Sequence, residues 1–281
     1  MKIKLALESA VAKFEQAGIE SASADAEILL GHLLNLSRGE LQSKIITDEE
    51  FSQVEEFEAL VSKRAERFPL QHLTGVAHFR RLTLKVGPGV FVPRPETEVV
   101  TQIAVDALKA SGSPEPISVD LATGSGAIAL SLAVEVPNAK VFAIELSEDA
   151  LKYTKQNFAE LAPEAVLVQG DLADAFPELN GTVDVLVSNP PYIPDEMIPI
   201  YPEVHLHDPS LALYGGADGL DVVRKVDEAA RRLLRPGGSL IIEHADMQGE
   251  AVRELLLASG WRQVRTHRDL VGRDRATTAL A

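Results

Sequence analysis

Four consecutive residues, Asn189-Pro190-Pro191-Tyr192, combine polar chemistry with rigidity. They follow an apolar, strand-like run, Val183 to Val187, broken only by Asp184. Neither proline has a backbone N–H, so the chain can continue neither a ladder nor a helix and takes a stiff, extended shape. That stiffness presents the Asn189 side chain and the Pro190 carbonyl as two hydrogen-bond acceptors at a strand end. The flat ring of Tyr192 lies beside them. Two acceptors and an aromatic plate suit a planar –NH2 group, either an amide or the exocyclic amine of a base. A rigid loop in which Asn189 caps its own backbone would use the same residues. A second motif upstream separates the two readings.

Asp120-Leu121-Ala122-Thr123-Gly124-Ser125-Gly126 joins a buried strand, Ile117 to Leu121, to an apolar helix, Ala127 to Val136. Residues Thr123 to Gly126 form a tight turn. Its glycines allow close backbone approach to a ligand, and the following helix offers free N–H groups. The next strand, Lys140 to Ile144, ends in Glu145. A carboxylate about 20 residues past the glycines is placed to accept hydrogen bonds from ribose hydroxyls. After a third strand, Ala165 to Gln169, Asp171 is a candidate acceptor for an adenine amino group and Leu172 a candidate cover for the ring. Strand, glycines, helix, strand and terminal acid, in that order, point to a nucleoside cofactor.

The turn reads Gly-x-Gly-x-x-Ala, so a nicotinamide dinucleotide is a rival ligand. A hydride-transfer enzyme needs a proton donor or acceptor near its substrate, which a rigid pair of neutral acceptors does not supply. A methyltransferase using S-adenosylmethionine fits both motifs. Its cofactor is already a strong electrophile, and the protein mainly has to position the acceptor nitrogen.

The chain resembles the HemK/PrmC family, the glutamine-N5 methyltransferases of class 1 peptide chain release factors. The resemblance runs over nearly the whole length. It is carried by Pro69-Leu70-Gln71-His72-Leu73-Thr74-Gly75, Val92-Pro93-Arg94-Pro95-Glu96-Thr97-Glu98, the glycine turn, Ser188-Asn189-Pro190-Pro191-Tyr192-Ile193 and Leu211-Ala212-Leu213-Tyr214-Gly215-Gly216-Ala217-Asp218-Gly219-Leu220. Asn-Pro-Pro-Tyr alone is shared with DNA adenine and some RNA methyltransferases; the combination is specific. The resemblance implies methyl transfer to the Gly-Gly-Gln glutamine of class 1 release factors. It also implies an α/β fold: a seven-stranded, Rossmann-like S-adenosylmethionine-dependent methyltransferase sheet with one antiparallel strand. Asn189, Pro190 and Tyr192 are then the catalytic candidates, with Pro191 completing the substrate site. Ala122, Thr123, Gly124, Ser125, Gly126, Glu145, Asp171, Leu172 and Asn189 are the cofactor candidates. Some relatives carry an aromatic residue where Leu172 stands, so here apolar contact replaces ring stacking. In the family the Pro-Arg-Pro-Glu-Thr-Glu stretch lies near the active site, which makes Arg94 and Glu96 further candidates for substrate contact.

Charge bears on the choice of substrate. The chain of 281 residues carries a net charge of −15. Residues 91–230, which hold both motifs, contain 7 basic and 23 acidic residues. Nucleic-acid binding draws on Lys and Arg to neutralise phosphates. The acidic segment therefore weighs against a DNA or RNA amine as substrate, and no direct nucleic-acid contact is expected. It would suit a basic protein partner, although acidic surface also serves solubility alone. There are no cysteines, which excludes disulfides and thiolate metal sites. The seven histidines show no metal-binding spacing, so no metal is expected. His205 and His207 read as loop residues. Glu243-His244 ends a strand on the ligand side, where a base is conceivable, but an amide nitrogen needs none before methyl transfer. No signal peptide pattern opens the chain and no apolar run spans a bilayer. A cytoplasmic, monomeric protein is expected.

Three regions are expected: a helical bundle at 1–75, a β-hairpin linker at 76–93 and a catalytic domain at 94–281. The bundle would comprise helices over Leu5 to Ala17 and Asp25 to Leu36, the latter capped by Ser21 or Ser23. A third helix opens with the capping box Ser37-Arg38-Gly39-Glu40. Thr47-Asp48-Glu49-Glu50 reads as a second box, opening a helix with the stripe Phe51, Val54, Phe57, Leu60 and Val61. The bundle shows no chemistry, which fits either an interaction role or a stabilising cap on the larger domain; the family resemblance implies partner recognition. In the linker, Leu82, Leu84 and Val86 alternate with polar residues, and Gly87-Pro88-Gly89 reads as the hairpin turn before Val90-Phe91-Val92. From Ile117 onward strands alternate with helices, the pattern of a mostly parallel sheet covered on both faces.

Overall fold

The computed structural model describes residues 1–281. They form two compact units, 1–76 with 199–207, and 77–198 with 208–281.

The smaller unit is helical. Helices α1 (Ile3–Gln16), α2 (Ala22–Leu34), α3 (Arg38–Ile46), α4 (Val54–Ala65) and the one-turn α5 (Leu70–Thr74) enclose a core that includes Phe14, Leu29, Leu30, Leu41 and Phe57. Ser37 caps α3 as expected, accepting from Glu40 N while Glu40 accepts from Ser37 N. Ser21 stands at the start of α2 but its side chain caps nothing. The second expected capping box does not form. Thr47 instead closes α3, its hydroxyl meeting Ser43 O and Glu49 Oε1 at 3.0 and 3.1 Å. Asp48 takes φ +55°, and Glu50 and Phe51 then pair with Lys2 and Met1. These long-range partners hold the segment extended, so α4 starts only at Val54 and Phe51 joins the core from outside it.

Residues 199–207 are tied to this unit by a partly buried ion cluster. Arg64 bridges Asp25 at 2.7 Å and Glu203 at 2.9 Å, and Arg67 holds the other Glu203 oxygen at 2.8 Å. His205 and His207 lie on a short helix, α9 (Pro202–His207), rather than in a loop, and His207 stacks on Phe68.

The larger unit begins with the hairpin β1 (Val76–Phe79) and β2 (Leu82–Lys85). Its turn is Arg80-Arg81, not the expected Gly87-Pro88-Gly89. Arg80 takes φ +52°; its N–H donates to Glu98 and its guanidinium to Glu135 at 2.6 and 2.7 Å. Val90 and Val92 are buried without forming a strand. With Phe79, Leu84 and Val86 they enter the core of the larger unit.

Then follow α6 (Thr97–Ala110), β3 (Ile117–Leu121), α7 (Ala127–Glu135), β4 (Lys140–Glu145), α8 (Glu148–Leu161), β5 (Val166–Gln169) and β6 (Val183–Ser188). After α9 come α10 (Ser210–Leu213), α11 (Asp221–Leu233), β7 (Leu234–Glu243), α12 (Gly249–Ala258), β8 (Arg262–Arg268) and β9 (Asp274–Leu280). The seven strands order as β5-β4-β3-β6-β7-β9-β8. All neighbours are parallel except the pairs made by β9, the single reversed strand. This is the fold the resemblance implies. Alternate residues face opposite cores: Val185, Val187 and Ile241 join one, Leu186, Leu240 and Ile242 the other. Burial on both faces explains the near-continuous apolar runs of the central strands. No helix is long and apolar enough to cross a membrane.

Candidate active site

The expected site residues follow the carboxyl ends of four adjacent strands, β5, β4, β3 and β6. Ligands of open α/β sheets bind along this edge.

The turn after β3 is strained and pinned. Ala122, Gly124 and Gly126 take φ of +59°, +57° and +88°. Only the two glycines adopt that region without steric cost. A Cβ on Gly126 would come within 2.8 Å of the Phe158 ring, whereas one on Gly124 would meet nothing; the turn is open at Gly124. Beneath it lies Asp120, which sequence reasoning named only as part of the motif. Its Oδ2 accepts from Thr123 Oγ1 at 2.6 Å and from Ala129 N at 3.1 Å, tying the turn to the start of α7. Its Oδ1 is buried without a partner. Burial pushes the carboxyl up to about 7, against these two hydrogen bonds, and nearby Glu145 raises it further.

Glu145 ends β4 with both oxygens engaged, accepting from Gly124 N and Ser147 N at 2.7 Å each. Burial raises its carboxyl above the usual range, opposed by these N–H groups. Each carboxylate oxygen has a further lone pair, so hydroxyl donors can still be accepted. Asp171 caps a 3-10 turn, accepting from Ala173 N at 3.0 Å, and lies 3.6 Å from Lys225. Leu172 is buried in the sheet core.

Ser188 joins the ends of β6 and β3 by donating to Leu121 O at 2.7 Å. Beyond it, Asn189 Nδ2 donates to Thr97 Oγ1 at 3.4 Å, and Thr97 donates to Glu243 Oε1 at 3.2 Å. Asn189 Oδ1 is left as an acceptor. The Pro190 carbonyl takes no backbone hydrogen bond. Tyr192 is enclosed enough that burial, followed by the nearby Glu243, raises its hydroxyl well above the ordinary tyrosine range.

The stretch from Leu213 to Gly219 supports this loop. Ile193 N donates to Leu213 O at 2.8 Å, Gly215 N to Ile193 O at 2.9 Å and Asp195 N to Gly216 O at 3.0 Å. Gly215 is bare because a Cβ would come within 2.6 Å of the Pro191 carbonyl; Gly219, at φ +74°, has no room for one against the Tyr192 carbonyl. Gln248 donates to the same Tyr192 carbonyl at 2.8 Å. Sequence reasoning missed Thr97, Glu243 and Gln248 as parts of the site. Thr97 stood inside a motif already quoted, and Glu243 at a strand end already noted.

Three further candidates are occupied elsewhere or uncommitted. Arg94 pairs with Asp208 at 2.7 Å and lies over the Phe91 ring. Glu96 stands before α6 and its side chain caps nothing. His244 is fully buried. Its Nδ1 donates to Ala245 O and its Nε2 accepts from Thr277 Oγ1, at 2.8 and 2.9 Å. With both ring nitrogens engaged and no exposure, His244 is not placed to act as a base on substrate.

Two buried carboxyl groups, Asp120 and Glu145, lie at or beneath the turn.

Residues 6–75 match the family model described as PrmC N-terminal domain, and residues 81–198 that of the Methyltransferase small domain. A release factor glutamine methyltransferase of Streptomyces coelicolor is 50% identical over 272 residues, 96% of this chain and 95% of its own length. A 4-amino-L-phenylalanine/4-methylamino-L-phenylalanine methyltransferase of Streptomyces pristinaespiralis is 40% identical over 260 residues, 91% of this chain and 87% of its own. A methyltransferase of Pyrococcus furiosus, 21% identical, superposes with a TM-score of 0.52 over 80% of this chain and 97% of its own, a likeness of fold. By full-length identity with named members, the chain belongs to the release factor glutamine methyltransferase family.

Proposed function

We propose that this enzyme transfers a methyl group from S-adenosylmethionine to the side-chain amide nitrogen of the Gly-Gly-Gln glutamine in class 1 peptide chain release factors. The observation that carries the reading is the state of Asn189. Its NH2 end is engaged by Thr97, so its oxygen is the end available to an –NH2 group, beside the Pro190 carbonyl. Bound S-adenosylmethionine supplies an electrophilic methyl on a sulfonium. Ala122 to Gly126 would cradle it through backbone, with Glu145 on the ribose and Asp171 and Leu172 at the adenine.

An amide nitrogen is a poor nucleophile because its lone pair is delocalised into the carbonyl. Asn189 Oδ1 and the Pro190 carbonyl, each accepting one amide proton, hold the nitrogen and weaken that delocalisation. Pro191 keeps the loop stiff and the Tyr192 ring packs on the amide plane. Positive charge grows on the nitrogen during transfer, so the two acceptors bind the transition state more strongly than the ground state. The extra proton leaves to solvent.

The acidic catalytic segment disfavours a nucleic-acid substrate, and the helical unit is assigned to docking the release factor. A relative named for an arylamine substrate keeps a small amine as the second reading. Labelled S-adenosylmethionine, incubated with a release factor, its Gln→Ala variant and 4-amino-L-phenylalanine in separate reactions, tests both. Label should enter the intact factor alone. Label in the Gln→Ala factor, or only in the arylamine, would overturn the proposal.

A further inference from the structure

Asn189 has an ambiguous side chain: one end accepts and the other donates, and only the accepting end can serve an –NH2 substrate. Something must decide which end faces the site. Ser188 pairs with Ile242 across β6 and β7, so Asn189, just past β6, and Glu243, the last residue of β7, come next in register. Thr97, at the start of α6, meets both. Thr97 is 3% exposed and Glu243 1%, so both are shielded from bulk water.

A hydroxyl has one proton. Thr97 donates it to Glu243 Oε1, which leaves only lone pairs toward Asn189. Lone pairs attract the Asn189 NH2 and repel its oxygen. The oxygen and nitrogen of an amide lie on opposite sides of its carbon, so holding the NH2 at Thr97 turns Oδ1 the other way. We propose that Thr97 and Glu243 are positioning residues, a relay that sets which end of Asn189 faces the substrate. Burial pushes the Glu243 carboxyl up to about 8, opposed by the Thr97 hydrogen bond and by Arg275. With Oε1 accepting from Thr97, the proton of the protonated acid would sit on Oε2, the oxygen without a partner. In that arrangement the relay works in either state.

The assignment of Asn189 to an amide substrate rests on the proposed function; the relay itself does not. Two readouts keep them apart. In protein carrying 15N in its five asparagines, the side-chain NH2 of Asn189 reports the relay without substrate. Its hydrogen exchange should be slowed in the wild type, fast in T97V, and slowed again in T97S. Single-turnover methylation supplies the second readout. T97V should be about tenfold slower or worse, the loss expected for a mispositioned acceptor, with cofactor affinity within about twofold. T97S should recover about tenfold over T97V.

The sharpest arm reverses the polarity. N189D sets an oxygen against the Thr97 lone pairs and should be slow. E243Q can offer its own NH2 to Thr97, which frees the hydroxyl proton to point at the new carboxylate. N189D/E243Q should therefore turn over about tenfold faster than N189D. Unchanged exchange in T97V, or no gain from E243Q in the N189D background, would overturn the relay. A relay signature by exchange in an enzyme that leaves the release factor unmethylated would uphold it while removing the proposed substrate.

Discussion

The larger unit pairs some of its enclosed charge, as in Arg80 with Glu135, but the carboxyl edge of its sheet treats buried acids differently from the helical unit. In the helical unit, Asp25 and Glu203 are each held by arginine, and Arg64 is shared between them. The group left without a partner there is Arg67 Nε, on a cation already paired through its NH2. In the larger unit, Asp120 and Glu243 are buried at the carboxyl edge of the sheet with one oxygen each unpartnered. A structural interior pairs its ions, because breaking a buried pair costs more than the pair ever contributed. A working edge keeps carboxyl groups that the fold does not satisfy, and such perturbed groups cluster where ligands and chemistry are found. The contrast marks the carboxyl edge of the sheet as the candidate site without reference to any relative.

The largest effect should come from breaking the paired cluster. Arg64→Ala leaves Asp25 buried beside no cation and frees one Glu203 oxygen, a loss of about 3–5 kcal/mol. Urea unfolding measures it, and a loss below about 1 kcal/mol, the scale of an exposed ion pair, would erase the contrast between the units. Asn189→Ala should do the opposite: a fall of about 10²–10³ in single-turnover rate, from one missing preorganised acceptor, with the unfolding midpoint hardly moved. Near wild-type turnover would refute the mechanism.

The two sets of buried carboxyl groups should also respond oppositely to pH. Burial opposes it, but Arg67 and Arg64 together hold the Glu203 carboxyl below the usual range. Its contribution is present above the unfolded value and lost as pH falls through the folded one. Burial raises Asp120 to about 7 and Glu243 to about 8. Each binds its proton more tightly folded than unfolded, so stability is full below the unfolded value near 4.3 for Glu and declines as pH rises through the folded one. Glu243→Gln should flatten the alkaline decline and leave the acid limb unchanged, as read by thermal unfolding across pH. An unaltered alkaline limb would mean that the Glu243 proton is not what the fold retains.

The smallest effect concerns the cofactor edge. Glu145→Ala should weaken S-adenosylmethionine binding by about 1–3 kcal/mol, the loss of a charged acceptor. Glu145→Gln, which keeps one acceptor oxygen, should lose less. Calorimetry decides, and unchanged affinity in both would move the ribose elsewhere.

What the sequence determined by itself was whatever a few adjacent residues settle among themselves. Two prolines without N–H groups stop β6 and stiffen the loop at Asn189. Ser37 and Glu40 satisfy each other three residues apart. Apolar runs set the strands, glycines the turn after β3, and Glu145 the end of β4. What only the tertiary structure decided were choices made by distant partners. Thr47 has the spacing of a cap, but the pairing of Lys2 with Glu50 holds the next residues extended. Arg80 makes the hairpin turn because Glu98 and Glu135 are there to hold it. The Asn189 side chain is oriented by Thr97, 92 residues away, and Thr97 by Glu243, 146 residues further on. A polar group takes the best partner that the packed fold brings within about 3 Å. Across such separations only the register of β6 against β7 and the seat of α6 determine which partner that is.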